Sequence, residues 1–128
     1  MLRVKLQTLD AWTDRRRAIA AAYSQDLSGA ELILPHVPDW AEPAWHLYVV
    51  RAVERSALQQ RLTKAGIQTL IHYPIPPHEQ AAYDNLRIAL DTLPISSQLA
   101  KEVLSLPMGP HLSVVDAGNV AEAAQSAG

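Results

Sequence analysis

Nine prolines, and where they fall, set the first limit on what this chain of 128 residues can fold into. Proline fixes φ at about −65° and removes a backbone donor, so regular elements must fit between prolines. None occurs before Pro35. From Leu2 to about Leu27 there is no glycine either, and Leu2, Leu6, Leu9, Trp12, Ile19, Tyr23 and Leu27 recur at helical intervals. The spacing predicts one long helix, stopped at Ser28-Gly29 with Gly29 in a left-handed conformation. Arg15, Arg16 and Arg17 splay around that helix and read as a solvated face pairing with Asp10 and Asp14. Residues 30–44 carry Pro35, Pro38 and Pro43 and read as an extended linker or surface loop.

Beyond Pro43 the pattern changes. Residues 45–51, WHLYVVR, are aromatic and β-branched, which predicts a strand. Ser56 and Gln59 fit a capping box for a helix through Leu58, Leu62 and Lys64, with Gly66 as its stop. Ile67 to Ile71 reads as a second strand, so the segment resembles a strand–helix–strand unit on one sheet. Pro74, Pro76 and Pro77 then stiffen the loop over 72–80. Ala81 to Leu90 is a candidate helix, with a turn at Asp91-Thr92. Pro94 with Ser96 or Ser97 starts another helix, and Leu104-Ser105-Leu106, closed by Pro107, is a short third strand. Ser113 is positioned to cap a last helix, which Gly118 and Asn119 are expected to interrupt, leaving a frayed tail.

Composition narrows the function classes. Hydrophobic residues at 48% and charged residues at 19% describe one globular domain with a core of its own. A net charge of −2 lacks the basic excess of nucleic-acid binders. Without cysteine there is no disulfide framework, thiolate nucleophile or Cys-based zinc site. No apolar run is long enough to span a membrane, and no secretory leader is visible, so the expected setting is the cytoplasm.

The search for chemistry returns one suggestive pair. His72 and Tyr73 open the stiff loop at a strand end, where ligand-facing groups tend to sit, although such residues also serve as packing. His72 and His78 are six apart across three prolines, which is not a known metal-ligand spacing. His46 lies in the expected strand and reads as structural, while His36 and His111 are loop residues beside Pro35 and Pro110. No nucleophile elbow or glycine-rich phosphate loop exists. Lys5, Lys64 and Lys101 fall at helical positions that would not desolvate an amine. On its own residues the chain has no catalytic, cofactor-binding or metal-binding group.

The segments LRVKLQTLDAWTDRRRAIAAAY, WHLYVVR, AGIQTLIHYPIPPHEQAAY and LAKEVLSLPMGPHLS, in that order from Leu2 to Ser113, resemble the DegT/DnrJ/StrS-type sugar-nucleotide aminotransferases. The combination of HYP after a strand with LSLPM some thirty residues later is specific. The resemblance implies the aspartate-aminotransferase fold, in which a large pyridoxal-phosphate domain precedes a small C-terminal domain. Such enzymes move an amino group, typically from glutamate, onto a keto sugar carried on a nucleotide. The chain then corresponds to the small domain: an α+β fold with an antiparallel-leaning sheet from 45–51, 67–72 and 103–106 and covering helices. Its divisions are a connector helix over 1–29, an α/β core over 45–113 and a frayed end over 114–128.

The resemblance places the Schiff-base lysine, the acidic partner of the pyridine nitrogen and the phosphate loop in the large domain, which is expected to be absent here. The chain therefore reads as a truncated gene, a gene fragment or an excised piece, inactive alone. In an intact enzyme the match puts His72 and Tyr73 against the sugar, while Arg3 and Lys5 match basic positions of the connector with no role attached. LSLPMGPHLS leans towards dTDP-linked 3-keto-6-deoxyhexoses. Residues 89–94, ALDTLP, and the stretch from Val114 to Gly128 depart from the family pattern. The expected partner is the missing large domain or a second copy of the chain. The rival reading is a free-standing assembly module that self-associates through Leu2, Leu6, Leu9 and Trp12; a metal-binding hydrolase using His72 and His78 ranks below both.

Overall fold

A computed structural model describes residues 2–86 and 92–125. Within them lie α1 (Leu2–Leu6), α2 (Leu9–Asp26), β1 (Tyr48–Arg51), α3 (Arg55–Lys64), α4 (Pro94–Glu102), β2 (Val103–Leu106) and α5 (Val114–Gln125). Short 3-10 turns cover Pro77–Glu79 and Ala81–Leu86. The class is α+β with a small antiparallel sheet, as expected, but with two strands where three were anticipated.

Tyr48 pairs with Leu106, Val49 with Ser105, Val50 with Leu104 and Arg51 with Val103. A strand alternates its side chains between faces. Tyr48, Val50, Leu104 and Leu106 therefore share one face, and all four are buried. Against that face pack Ile19, Ala20, Tyr23 and Leu27 of α2 and its end, Leu58 and Leu62 of α3, and Ala117, Val120, Ala121 and Ala124 of α5. The alanines of α5 keep its core face low where it meets α2. Tyr23 stacks at a tilt on Tyr48, ring centres 5.0 Å apart. Its hydroxyl donates to the Pro107 carbonyl at 2.9 Å.

Several expectations are corrected. The first helix breaks at Gln7-Thr8, where the Thr8 hydroxyl bonds back to the Lys5 carbonyl at 3.0 Å in competition with the backbone ladder. Gly29 is not left-handed; Gly66, with φ +77°, is, and it ends α3 as anticipated. The capping box of Ser56 and Gln59 does not form, because α3 begins at Arg55 and puts Ser56 inside the helix. The strand expected from Trp45 starts at Tyr48, since Trp45 has φ 52°. Arg16 donates to the carbonyls of Trp45 and His46 at 3.2 and 3.3 Å, so His46 is an exposed loop residue rather than a strand histidine. Arg17 does pair with Asp14, and also with Glu42, both at 3.3 Å.

The strand expected over 67–71 is reduced to a single bridge, Leu70 to Ser105. Ile33 likewise bridges Arg51 on the far side of β1. Since Leu70 lies beyond β2, the strand–helix–strand unit is split, with β2 inserted between its two arms. Gly118 and Asn119 do not interrupt the last helix, which runs through both and buries four residues. Ser113 caps it reciprocally with Asp116: the Asp116 amide donates to Ser113 Oγ at 2.9 Å and the Ser113 amide donates to Asp116 Oδ2 at 3.4 Å. The candidate helix over Ala81 to Leu90 is a 3-10 turn as far as Leu86. The rest of it, and Asp91 of the expected turn, lie outside the described residues.

Candidate functional site

The face of the sheet opposite the core carries Val49, Arg51, Val103 and Ser105. Arg51 and Glu102 form an ion pair at 2.7 Å at one end of it. Hydrogen bonds from Gln98 first, and from Arg51 second, hold the Glu102 carboxyl below its ordinary value of 4.5. At the other end Ser105, 4% exposed, has its hydroxyl 2.8 Å from Nδ1 of His72.

His72 is a wall shared by two clefts. One, of about 220 Å³, is lined by His72, Tyr73, Pro76, Pro77, Leu99 and Val103 among others. The second, of about 130 Å³, is lined by His72, Leu47, Leu70, Ser105, Pro107 and Met108 among others. The Tyr73 ring meets the His72 ring edge-on, 88° between planes and 5.5 Å between centres. Tyr73 is 71% exposed, so its phenol is open to a ligand or to a covering surface. The structure thus brings the two site residues of the sequence together at one cleft.

The loop that carries Tyr73 is anchored at its far end. His78 is buried, with Nε2 3.2 Å from Ser97 Oγ and 3.4 Å from Glu79 Oε1, while the Ser97 hydroxyl donates to Glu79. Pro76 is buried too, and Gln80 donates to the Ile75 carbonyl at 3.2 Å. The two loop histidines are thus engaged by different serines, Ser105 of β2 and Ser97 of α4. Among the described residues no cluster of three or more metal-ligating side chains forms. Sequence reasoning passed over Ser105 and Ser97. The signal for Ser105 was available, since a serine between two leucines in a strand must face away from the core they occupy.

The model of the DegT/DnrJ/EryC1/StrS aminotransferase family matches residues 1–125. A dTDP-3-amino-3,6-dideoxy-alpha-D-galactopyranose transaminase of Aneurinibacillus thermoaerophilus is 46% identical over 123 residues, 96% of this chain and 33% of that protein. The erythromycin biosynthesis sensory transduction protein EryC1 of Saccharopolyspora erythraea is 49% identical over 88% of this chain and 31% of its own length. Among solved structures, DesV of S. venezuelae superposes with a TM-score of 0.94 at 41% identity, covering 97% of this chain and 34% of that one. The chain spans about a third of the length of the curated relatives it matches. With that match over nearly its whole length, the chain belongs to the DegT/DnrJ/EryC1/StrS aminotransferase family.

Proposed function

We propose that this chain is the small domain of an aminotransferase that transfers an amino group, typically from glutamate, onto a nucleotide-linked keto sugar. Relatives at 46% and 42% identity that bear the names of dTDP-amino-sugar transaminases support a dTDP-linked deoxyhexose as the substrate class. His72 and Tyr73 are the sugar contacts of this reading. The observation that carries it is the cleft they wall together on the face of the sheet away from the core.

Enzymes of this family depend on pyridoxal phosphate, which does not fit among the described residues. An internal aldehyde-binding lysine has to be desolvated. Lys5, Lys64 and Lys101 are all exposed on helices, and neither cleft beside His72 is lined by a lysine. The amine-bearing chemistry therefore belongs to a segment outside these 128 residues, and the chain alone is inactive. Its own residues wall the sugar site and keep it in shape: Pro74, Pro76 and Pro77 stiffen the loop, and the His78, Glu79 and Ser97 contacts anchor it to α4. A cytoplasmic setting goes with this reading; no described helix is long and apolar enough to cross a membrane.

Two experiments test it. Replacing the matching third of the S. venezuelae transaminase by this chain should leave amino transfer to the keto sugar measurable. In that chimera His72→Gln and Tyr73→Phe should each cost about tenfold or more in kcat/KM, as loss of a hydrogen bond at a substrate does. A chimera whose activity ignores both substitutions removes them from the site. Incubating the chain alone with pyridoxal phosphate and borohydride should label its lysines sparsely. A stoichiometric adduct at one lysine would contradict the assignment of the cofactor to another segment.

A further inference from the structure

We propose that Ser105 is a positioning residue for His72, holding its ring in the tautomer with the proton on Nε2. Ser105 is a buried hydroxyl in the middle of a four-residue strand. A buried hydroxyl is tolerated where it has a partner. Among the described residues that partner is His72 Nδ1, at 2.8 Å. The backbone makes a second tie two residues upstream of His72: the Ser105 amide donates to the Leu70 carbonyl at 2.8 Å, and the Leu70 amide donates to the Ser105 carbonyl at 3.3 Å. One strand residue thus fixes both the approach of the chain to His72 and the ring itself.

Proton counting selects the tautomer. A neutral imidazole has one donor nitrogen and one acceptor nitrogen, and a hydroxyl has one hydrogen to give. If Nδ1 carried the proton it would donate to Ser105 Oγ. The hydroxyl hydrogen would then need a second acceptor, and none of the described residues supplies one. With the hydroxyl donating to Nδ1, the buried hydroxyl and Nδ1 are both paired and the ring proton is left on Nε2. The ring that walls both clefts then offers Nε2–H as a donor to an acceptor oxygen, whether hydroxyl, keto or phosphate. Use of that donor on a sugar rests on the proposed role of His72; the tautomer itself does not.

The test is side-chain ¹⁵N NMR of the 128-residue chain at about pH 8, above the ordinary imidazole range. His72→Gln identifies the His72 signals by their loss. The wild type should show an acceptor-type Nδ1 and a protonated Nε2 at His72. Ser105→Ala should lose that bias, its two nitrogens moving towards the tautomer average of an exposed histidine such as His46. Ser105→Thr, which keeps the hydroxyl on a strand-compatible side chain, should restore it. A wild-type ring protonated on Nδ1, or a Ser105→Ala spectrum unchanged at His72, overturns the proposal. Should Ser105→Ala fail to fold, Ser105→Cys takes its place: the weaker thiol donor should erode the bias, and an unchanged bias counts against the role. Because no substrate is present, the result stands apart from whether His72 touches sugar. A chimera that needs His72 for activity alongside a ring free of tautomer bias would refute this proposal and leave the substrate reading intact.

Discussion

The two faces of the β1–β2 sheet are built from alternate residues of the same eight positions, yet they are opposite in kind. On one, Tyr48, Val50, Leu104 and Leu106 are sealed under three helices. On the other, Val49, Arg51 and Val103 are half-buried, and the Ser105 hydroxyl reaches His72 beside two open clefts. A period of two lets one strand serve packing and recognition independently, because a substitution at one position does not move its neighbour to the other face. Stability is therefore expected to concentrate on the first face and ligand chemistry on the second.

The largest effect should come from that asymmetry. Leu104 is wholly buried, so Leu104→Ala should cost about 2–5 kcal/mol in transfer and cavity terms. Val103→Ala, one residue away on the half-buried face, should cost about 1 kcal/mol. Denaturant titration of both variants measures the difference, and equal losses would abolish the distinction between the faces.

A smaller effect should appear in alkali. Burial first, and the neighbouring Tyr48 second, push the Tyr23 phenol well above its ordinary value of 10.0; burial also raises Tyr48, against a lowering bond from Ser24. The folded state then keeps these protons after the unfolded chain has lost them. Stability should be full below about pH 10 and fall as pH rises further. Tyr23→Phe should cost about 1 kcal/mol at neutral pH through the lost bond to Pro107, and flatten the alkaline fall. A variant with an undiminished slope would show that another group is responsible.

How much of this was legible beforehand follows the same division. The apolar spacing of α2, the run around β1 and the stop at Gly66 all concern the sealed face, where burial imposes a pattern on the sequence. His72 and Tyr73 stood out because prolines stiffen the loop that follows them. What escaped depends on contacts distant along the chain. The start of β1 is set by Arg16 drawing on two carbonyls about thirty residues away, and the strand expected over 67–71 meets β2 through the single bridge from Leu70 to Ser105. The continuity of α5 through Gly118 and Asn119 comes from tertiary burial of its alanines, which overrides weak local propensity. Ser105 needed a partner 33 positions away to acquire meaning.

That last helix offers a sharper check on the sealed face. Ser113→Ala removes the reciprocal cap with Asp116 and should cost about 1 kcal/mol. The loss should show in hydrogen exchange as earlier opening of α5 amides, since a core helix unzips from its uncapped end. On the open face the matching check is acidic. The Glu102 carboxyl is held low, so its contribution is present above its ordinary value of 4.5 and is lost as pH falls through the lower folded value. Glu102→Gln should remove that part of the acid sensitivity while leaving the alkaline fall in place; an unchanged acid limb would mean that other carboxylates set it.

The smallest effect on stability is expected at α1, which belongs to neither face. It buries no residue, and Leu2, Val4 and Leu6 are 79%, 69% and 62% exposed. Leu6→Ser removes apolar surface that is already in water, so unfolding should shift by no more than about 0.5 kcal/mol. Association is where the change should register, because adjacent exposed leucines favour a covering partner. Light scattering at high concentration should find the wild-type chain self-associated and Leu6→Ser less so. A wild-type chain that stays monomeric would mean that a second copy of the chain does not cover this helix. A Leu6→Ser variant that loses several times the expected stability would place α1 in the core and redraw the boundary between sealed and open surfaces.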